Sequence, residues 1–126
     1  MLHLLLVATG GALGAAARHL MNTAALRLFG PGFPVGTLAV NVVGSFAMGL
    51  LIAVLARRIG GTSNEVRLFL ATGFLGGFTT FSAFSLDFAL MWERGDHGVG
   101  FVYLAASVVL SILALFGGLA IVRVLA

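Results

Sequence analysis

Apolar residues along this chain run in long unbroken stretches instead of alternating, and the few charged residues fall between the stretches. Charge-free apolar character covers residues 4–17 and resumes after Arg18 to about Leu26; it then covers 35–56, 68–86 and 99–122. As a helix rising about 1.5 Å per residue, the second stretch would extend roughly 33 Å, matching a hydrocarbon core of about 30 Å. Strands of a membrane barrel are excluded, because they are about ten residues long and alternate in polarity. The pattern predicts an all-α membrane protein, one transmembrane domain over residues 1–126 with spans at about 4–26, 35–56, 68–86 and 99–122. The connections, 30–34, 57–66 and 92–98, are too short to hold a soluble domain. Consecutive helices are therefore antiparallel and both termini lie on one side.

Composition agrees with a lipid setting. Hydrophobic residues make up 60% of the chain and charged ones 9%, against about 25% charged in a soluble domain. A small soluble domain could not solvate its surface with so few ionisable groups. The net charge is +3, yet the seven basic residues are all arginines scattered at span ends. They fit headgroup anchoring, and no nucleic-acid partner is expected. Without cysteine there is no disulfide framework and no thiolate site.

The first stretch ends in Ala15-Ala16-Ala17, small residues of the kind that close a signal peptide, but it lacks a basic start and its apolar character resumes after Arg18. A retained span is expected. Gly10-x-x-x-Gly14 follows no strand pattern and the chain has no Lys, so it reads as a helix-packing face and not a phosphate loop. Arg57, Arg58, Arg67 and Arg123 fall on the side of the termini, against Arg27, Arg94 and Arg18 on the other. So weak a bias leaves insertion in both directions open, with inverted copies pairing in one membrane.

Polar residues inside the spans carry the candidate chemistry. Thr37, Asn41 and Ser45 share one stripe of the second helix at i, i+4 spacing, and Tyr103, Ser107 and Ser111 do the same on the fourth. Hydroxyls can bond back to their own helix and glue helices together. Asn41 is harder to satisfy that way, and an amide in register with hydroxyls points to a polar path. In the third span Gly76-Gly77 followed by Thr79-Thr80 makes a poor helix interior, so a break near 76–80 is expected, exposing backbone groups able to coordinate an ion. The alternative is an unbroken helix that packs through Gly73-x-x-x-Gly77. Phe81 and Phe84, flanked by Thr80, Ser82 and Ser85, either fill a core or turn their positive ring edges to an anion. Arg18 either snorkels or provides a fixed charge that draws anions into a vestibule. Asp87 ends the third span, at the interface or paired with Arg18. His3, His19 and His97 lack metal-like spacing.

The segment Gly76-Gly77-Phe78-Thr79-Thr80-Phe81-Ser82-Ala83-Phe84-Ser85 resembles the bacterial fluoride channel family, Fluc or CrcB. So do Gly36-Thr37-Leu38-Ala39-Val40-Asn41 and Gly10-Gly11-Ala12-Leu13-Gly14-Ala15-Ala16-Ala17-Arg18, and the likeness covers the whole chain. The resemblance implies an antiparallel, dual-topology homodimer in the bacterial inner membrane that exports fluoride passively through two pores. It assigns the pore asparagine to Asn41, the pore phenylalanines to Phe81 and Phe84, with Thr80 and Ser82 beside them, and the polar track to Tyr103, Ser107 and Ser111. It also implies a structural sodium ion at the dimer centre, held by backbone carbonyls of Gly76 and Thr79. Ala83 and Asp87 stand where many relatives carry Thr and Glu.

Two other classes are compatible with four short spans. A small proton-coupled multidrug exporter would need a carboxylate within the membrane, and none lies inside the first two spans. A non-conducting structural subunit would pass no ion. No His, Asp and Ser combination meets at membrane depth, so an enzyme is not expected.

Overall fold

A computed structural model describes residues 1–58 and 64–125. Helix α1 (Leu2–Phe29) is followed by α2 (Val35–Arg57), and the third span begins with the single turn α3 (Asn64–Arg67). That turn leads into a π-helical segment (Leu68–Leu75), the short α4 (Gly76–Phe78) and then α5 (Phe81–Glu93). The chain ends with α6 (His97–Leu125). Four helical stretches are long and apolar enough to cross a membrane, the third running Asn64–Glu93. The expected connection over 57–66 includes residues 59–63, which lie outside the described residues.

Each helix outruns its charge-free stretch. The third span takes in Glu65, Arg67 and Glu93, and α6 reaches past Arg123. Loss of apolar character marks the edge of the hydrocarbon, whereas the helix continues into the headgroup layer, where long charged side chains are solvated. True ends carry their own chemistry. Gly30 closes α1 at a φ of 75°, a left-handed geometry without penalty for glycine, and its N–H donates to Leu26 O at 2.9 Å. Gly95 does the same service between α5 and α6, at a φ of 86°.

The helices pair as α2 with α6 and α1 with the third span. Lipid offers no hydrophobic drive between helices, so close approach of small residues carries the packing. A Cβ added to Gly14 would run into Phe74 O, and one on Gly77 would lie 2.5 Å from Gly11 O. Gly10-x-x-x-Gly14 and Gly73-x-x-x-Gly77 are thus two faces of one contact. The π-helical segment and α4 together form the third span's side of it, and the π-helical turns were not foreseen from the sequence. On the other pair, Gly49 lies against Leu115 O and Gly118 against Phe46 O. The buried apolar cluster is small, with Phe84, Met91 and Tyr103 at its centre and Phe33, Leu38 and Leu104 around it. Much of α6 is apolar and exposed, including Val109, Ile112, Leu113 and Phe116, as suits contact with lipid.

Candidate functional site

Between α4 and α5 the backbone leaves helical torsions for two residues, Thr79 (φ −85°, ψ 158°) and Thr80 (φ −153°, ψ 118°). β-Branched residues accept extended torsions readily, and Thr is also a good N-cap. Several of the helical bonds lost there are replaced by side chains. Thr80 N–H donates to Asn41 Oδ1 at 2.8 Å, and Asn41 Nδ2 donates back to Thr80 O at 3.0 Å. One amide of α2 therefore satisfies both backbone groups of an extended residue. Thr80 Oγ1 accepts from Ala83 N–H at 3.1 Å and caps α5, while Thr79 Oγ1 donates to Leu75 O at 2.9 Å. Arg18 Nε donates to Gly77 O at 3.1 Å.

Two helical acceptors lose their donors by this exchange. In a continuous helix Gly76 O would take the N–H of Thr80 and Thr79 O that of Ala83. Those N–H groups go to Asn41 Oδ1 and Thr80 Oγ1 instead.

Beside this segment lies a cleft of about 260 Å³. Its polar lining is Asn41, Ser45, Thr79, Thr80, Ser107 and Ser111; Phe81, Phe84, Val108 and Ile112 supply the apolar walls. Ser107 Oγ and Ser111 Oγ are buried with no hydrogen-bond partner. An orphaned buried hydroxyl costs about 1–3 kcal/mol, so two in one cleft mark a place for a guest that accepts hydrogen bonds. No ionisable side chain lines the cleft. The N-terminus of α5 borders it, and the first-turn N–H groups of Phe81 and Ser82 have no carbonyl ahead of them within α5. Those groups carry the positive end of the helix dipole.

A second cavity of about 350 Å³ lies where the 30–36 connection meets the end of α5; Asn22, Thr37, Asp87 and Arg94 are among its lining. Tyr103 links the two. Its ring, fully buried, packs on Phe84 of the cleft at 5.3 Å between centroids and edge-on to Phe33 at 5.5 Å. Its hydroxyl donates to Asp87 Oδ2 at 3.0 Å, on the side of the second cavity.

Of the residues singled out from the sequence, Asn41, Thr80, Phe81, Phe84, Ser107 and Ser111 come together on the cleft, with Thr79. The stripe on α2 divides, Thr37 facing the second cavity and Asn41 and Ser45 the cleft. Tyr103 stands outside the cleft lining, because its hydroxyl is taken by Asp87. Ser82 is exposed, its Oγ 3.3 Å from Thr80 Oγ1. Gly76 is exposed as well, and Arg18 lines neither cavity. Asp87 pairs with Tyr103 and Arg18 with a carbonyl, so the contemplated Arg18–Asp87 pair does not form. The two rings differ in setting: Phe81 is 76% exposed and Phe84 7%, with centroids 5.4 Å apart. Val108 and Ile112 were missed, though each follows a track serine by one position and the helical period could have found them.

The family model for CrcB-like protein, Camphor Resistance (CrcB), matches residues 5–119. The chain is 64% identical over 123 residues to the "Fluoride-specific ion channel FluC" of Mesorhizobium japonicum, covering 98% of both chains. It is 63% identical over 123 residues to the protein of that name from Chelativorans sp., again covering 98% of both. With the one from Rhizobium etli (strain CIAT 652) it shares 56% over 126 residues and the full length of both. Four apolar helices together with near-complete coverage by these relatives make this a multi-pass membrane protein, and the chain belongs to the CrcB-like family.

Proposed function

We propose that this chain forms a fluoride-selective channel through which the ion leaves the bacterial cytoplasm passively across the inner membrane. The observation that carries this reading is the pair of buried, unpartnered hydroxyls, Ser107 Oγ and Ser111 Oγ, lining the same uncharged cleft as Asn41. A small anion with a tight water shell must be offered strong donors in exchange for that water, yet held weakly enough to leave. Neutral donors meet both demands. Hydroxyls of Ser107, Ser111 and Thr80, the second N–H of the Asn41 amide, and the ring edges of Phe81 and Phe84 would take over from water in turn. The N-terminus of α5 biases the site towards negative charge without a fixed cation that would trap the ion. No covalent chemistry takes place and the protein is not an enzyme.

The third span acts in this reading as a broken helix, interrupted at Thr79 and Thr80. A second copy in the opposite orientation completes the pathway, giving an antiparallel homodimer of dual topology. Support comes from Phe81, Thr72 and Ser82, which a lone chain leaves exposed, two of them hydroxyls that membrane proteins normally bury against protein. Ser82 joins the path as a flanking donor, and Tyr103, whose hydroxyl stays on Asp87, backs the ring of Phe84 from behind. A sodium ion between the copies would be held by carbonyls of Gly76 and Thr79, the two residues whose helical donors are diverted to Asn41 and Thr80. Backbone ligation suits a chain with no cluster of three or more His, Asp or Glu among its described residues. When bound, the ion would neutralise carbonyl dipoles where the two copies meet.

The test is anion release from liposomes that hold the purified protein, read with ion-selective electrodes. Fluoride release without comparable chloride release is expected. Absence of fluoride release, or proton-driven cation exchange, would overturn the proposal.

A further inference from the structure

Arg18 is the only cation set beside the Thr79–Thr80 interruption among the described residues, and its hydrogen bond is not to an acid. Nε donates to Gly77 O at 3.1 Å from a partly buried position. In a continuous helix that carbonyl would receive the N–H of Phe81, a donor removed by the extended torsions that separate α4 from α5. The contact is braced by backbone: Gly77 presses on Gly11, with only 2.5 Å between a Cβ built on it and Gly11 O. Arg18 is two turns further along α1 on the same side of the helix. Its guanidinium opens onto neither cavity.

We propose that Arg18 is a positioning residue: its Nε–H replaces the missing helical donor at the Gly77 carbonyl and fixes the interruption from the α1 side, as Asn41 fixes it from α2. The hydrogen bond matters, and the charge does not. Only the flux arm of the test rests on the channel reading above.

Two substitutions separate donor from charge. R18Q puts an amide nitrogen at the place of Nε, the fourth atom out from Cα, and removes the charge. R18K keeps the charge and puts a methylene there. The full chain would be purified in each form, its assembly checked by size exclusion, its fluoride efflux measured in liposomes and its amide exchange followed over residues 76–83. R18Q is expected to keep efflux within about twofold of the parent, with unchanged exchange. R18K is expected to lose about tenfold, the factor set by one net hydrogen bond, with faster exchange over 80–83. Efflux kept in R18K and lost in R18Q would overturn the proposal in favour of a charge effect. Equal behaviour of the two variants, or loss of assembly in R18Q, would overturn it as well. If the parent released no fluoride, the channel reading would fall by itself, and the exchange order of the variants would still decide the role of Arg18.

Discussion

Replacing Asn41 tests the centre of the site, because this one side chain both holds the extended backbone and offers a donor to the cleft. Asn41→Ala removes the bonds at 2.8 and 3.0 Å and leaves Thr80 N–H and C=O without partners. Two orphaned groups would cost about 2–6 kcal/mol if nothing replaced the amide. The adjoining cleft is about 260 Å³, room for several waters at about 30 Å³ each, and bridging water recovers much of a lost bond. The net loss is then about 1–3 kcal/mol, or roughly 5- to 140-fold in efflux at about 1.4 kcal/mol per decade. Asn41→Asp is sterically milder and predicted to be worse. It keeps an acceptor for Thr80 N–H, sets a carboxylate oxygen against Thr80 O, and places a negative charge beside the permeating anion. At a separation of about 6 Å and an effective dielectric constant of about 20 that charge alone adds about 3 kcal/mol. Liposome efflux, with size exclusion as a control for assembly, should rank the parent first, Asn41→Ala second and Asn41→Asp last. An Asn41→Asp protein that conducts as well as the Ala variant would refute both the neutral pathway and the placing of Asn41 on it.

Phe81→Ile and Phe84→Ile should each cut fluoride efflux while leaving assembly intact, and Phe84→Ile should also lower thermal stability by about 1–3 kcal/mol, since Phe84 is buried against Tyr103 within one chain. Ser107→Ala should slow efflux yet leave the unfolding midpoint unchanged or slightly raised in fluoride-free buffer, because the lost hydroxyl makes no bond there; a clear drop in stability would show that it has a structural partner. Gly14→Val should prevent monodisperse assembly, its side chain colliding with Phe74 O, whereas Gly117→Ala, with nothing within 4 Å, should behave as the parent by size exclusion.

Much of this architecture is legible in the sequence because length without charge is a strong signal in lipid, and because i, i+4 spacing holds along any helix. Those two regularities predict four spans and the polar stripes that carry Asn41, Ser107 and Ser111, and they mark Gly10-x-x-x-Gly14 as a packing face without naming its partner. What stays hidden depends on partners distant in the chain. Tyr103 shares the spacing of Ser107 and Ser111, yet Phe33 and Phe84 hold its ring and Asp87 takes its hydroxyl, which no local pattern announces. The π-helical turns over Leu68–Leu75 carry no compositional mark and coincide with the α1 contact. The acceptor that Arg18 finds does not exist until the torsions at Thr79 and Thr80 free it.

That last dependence bears on how an anion could be selected without a cation in the cleft. Interrupting a helix in lipid creates two opposite ends, carbonyls on one side of the gap and N–H groups on the other, and their charges would cancel if both faced the same space. Here they are treated differently. On the carbonyl side Gly77 is engaged by Arg18, and Gly76 and Thr79 keep carbonyls whose helical donors have gone elsewhere. On the N–H side Thr80 and Ala83 are satisfied, which leaves Phe81 at the edge of a cleft that already holds two unpartnered hydroxyls. Arg18 thus masks one carbonyl of the gap from the side of α1, while the amide of Phe81 stays beside the cleft. In the proposed channel, a site for a cation and a path for an anion would then arise a few residues apart from the same two extended threonines.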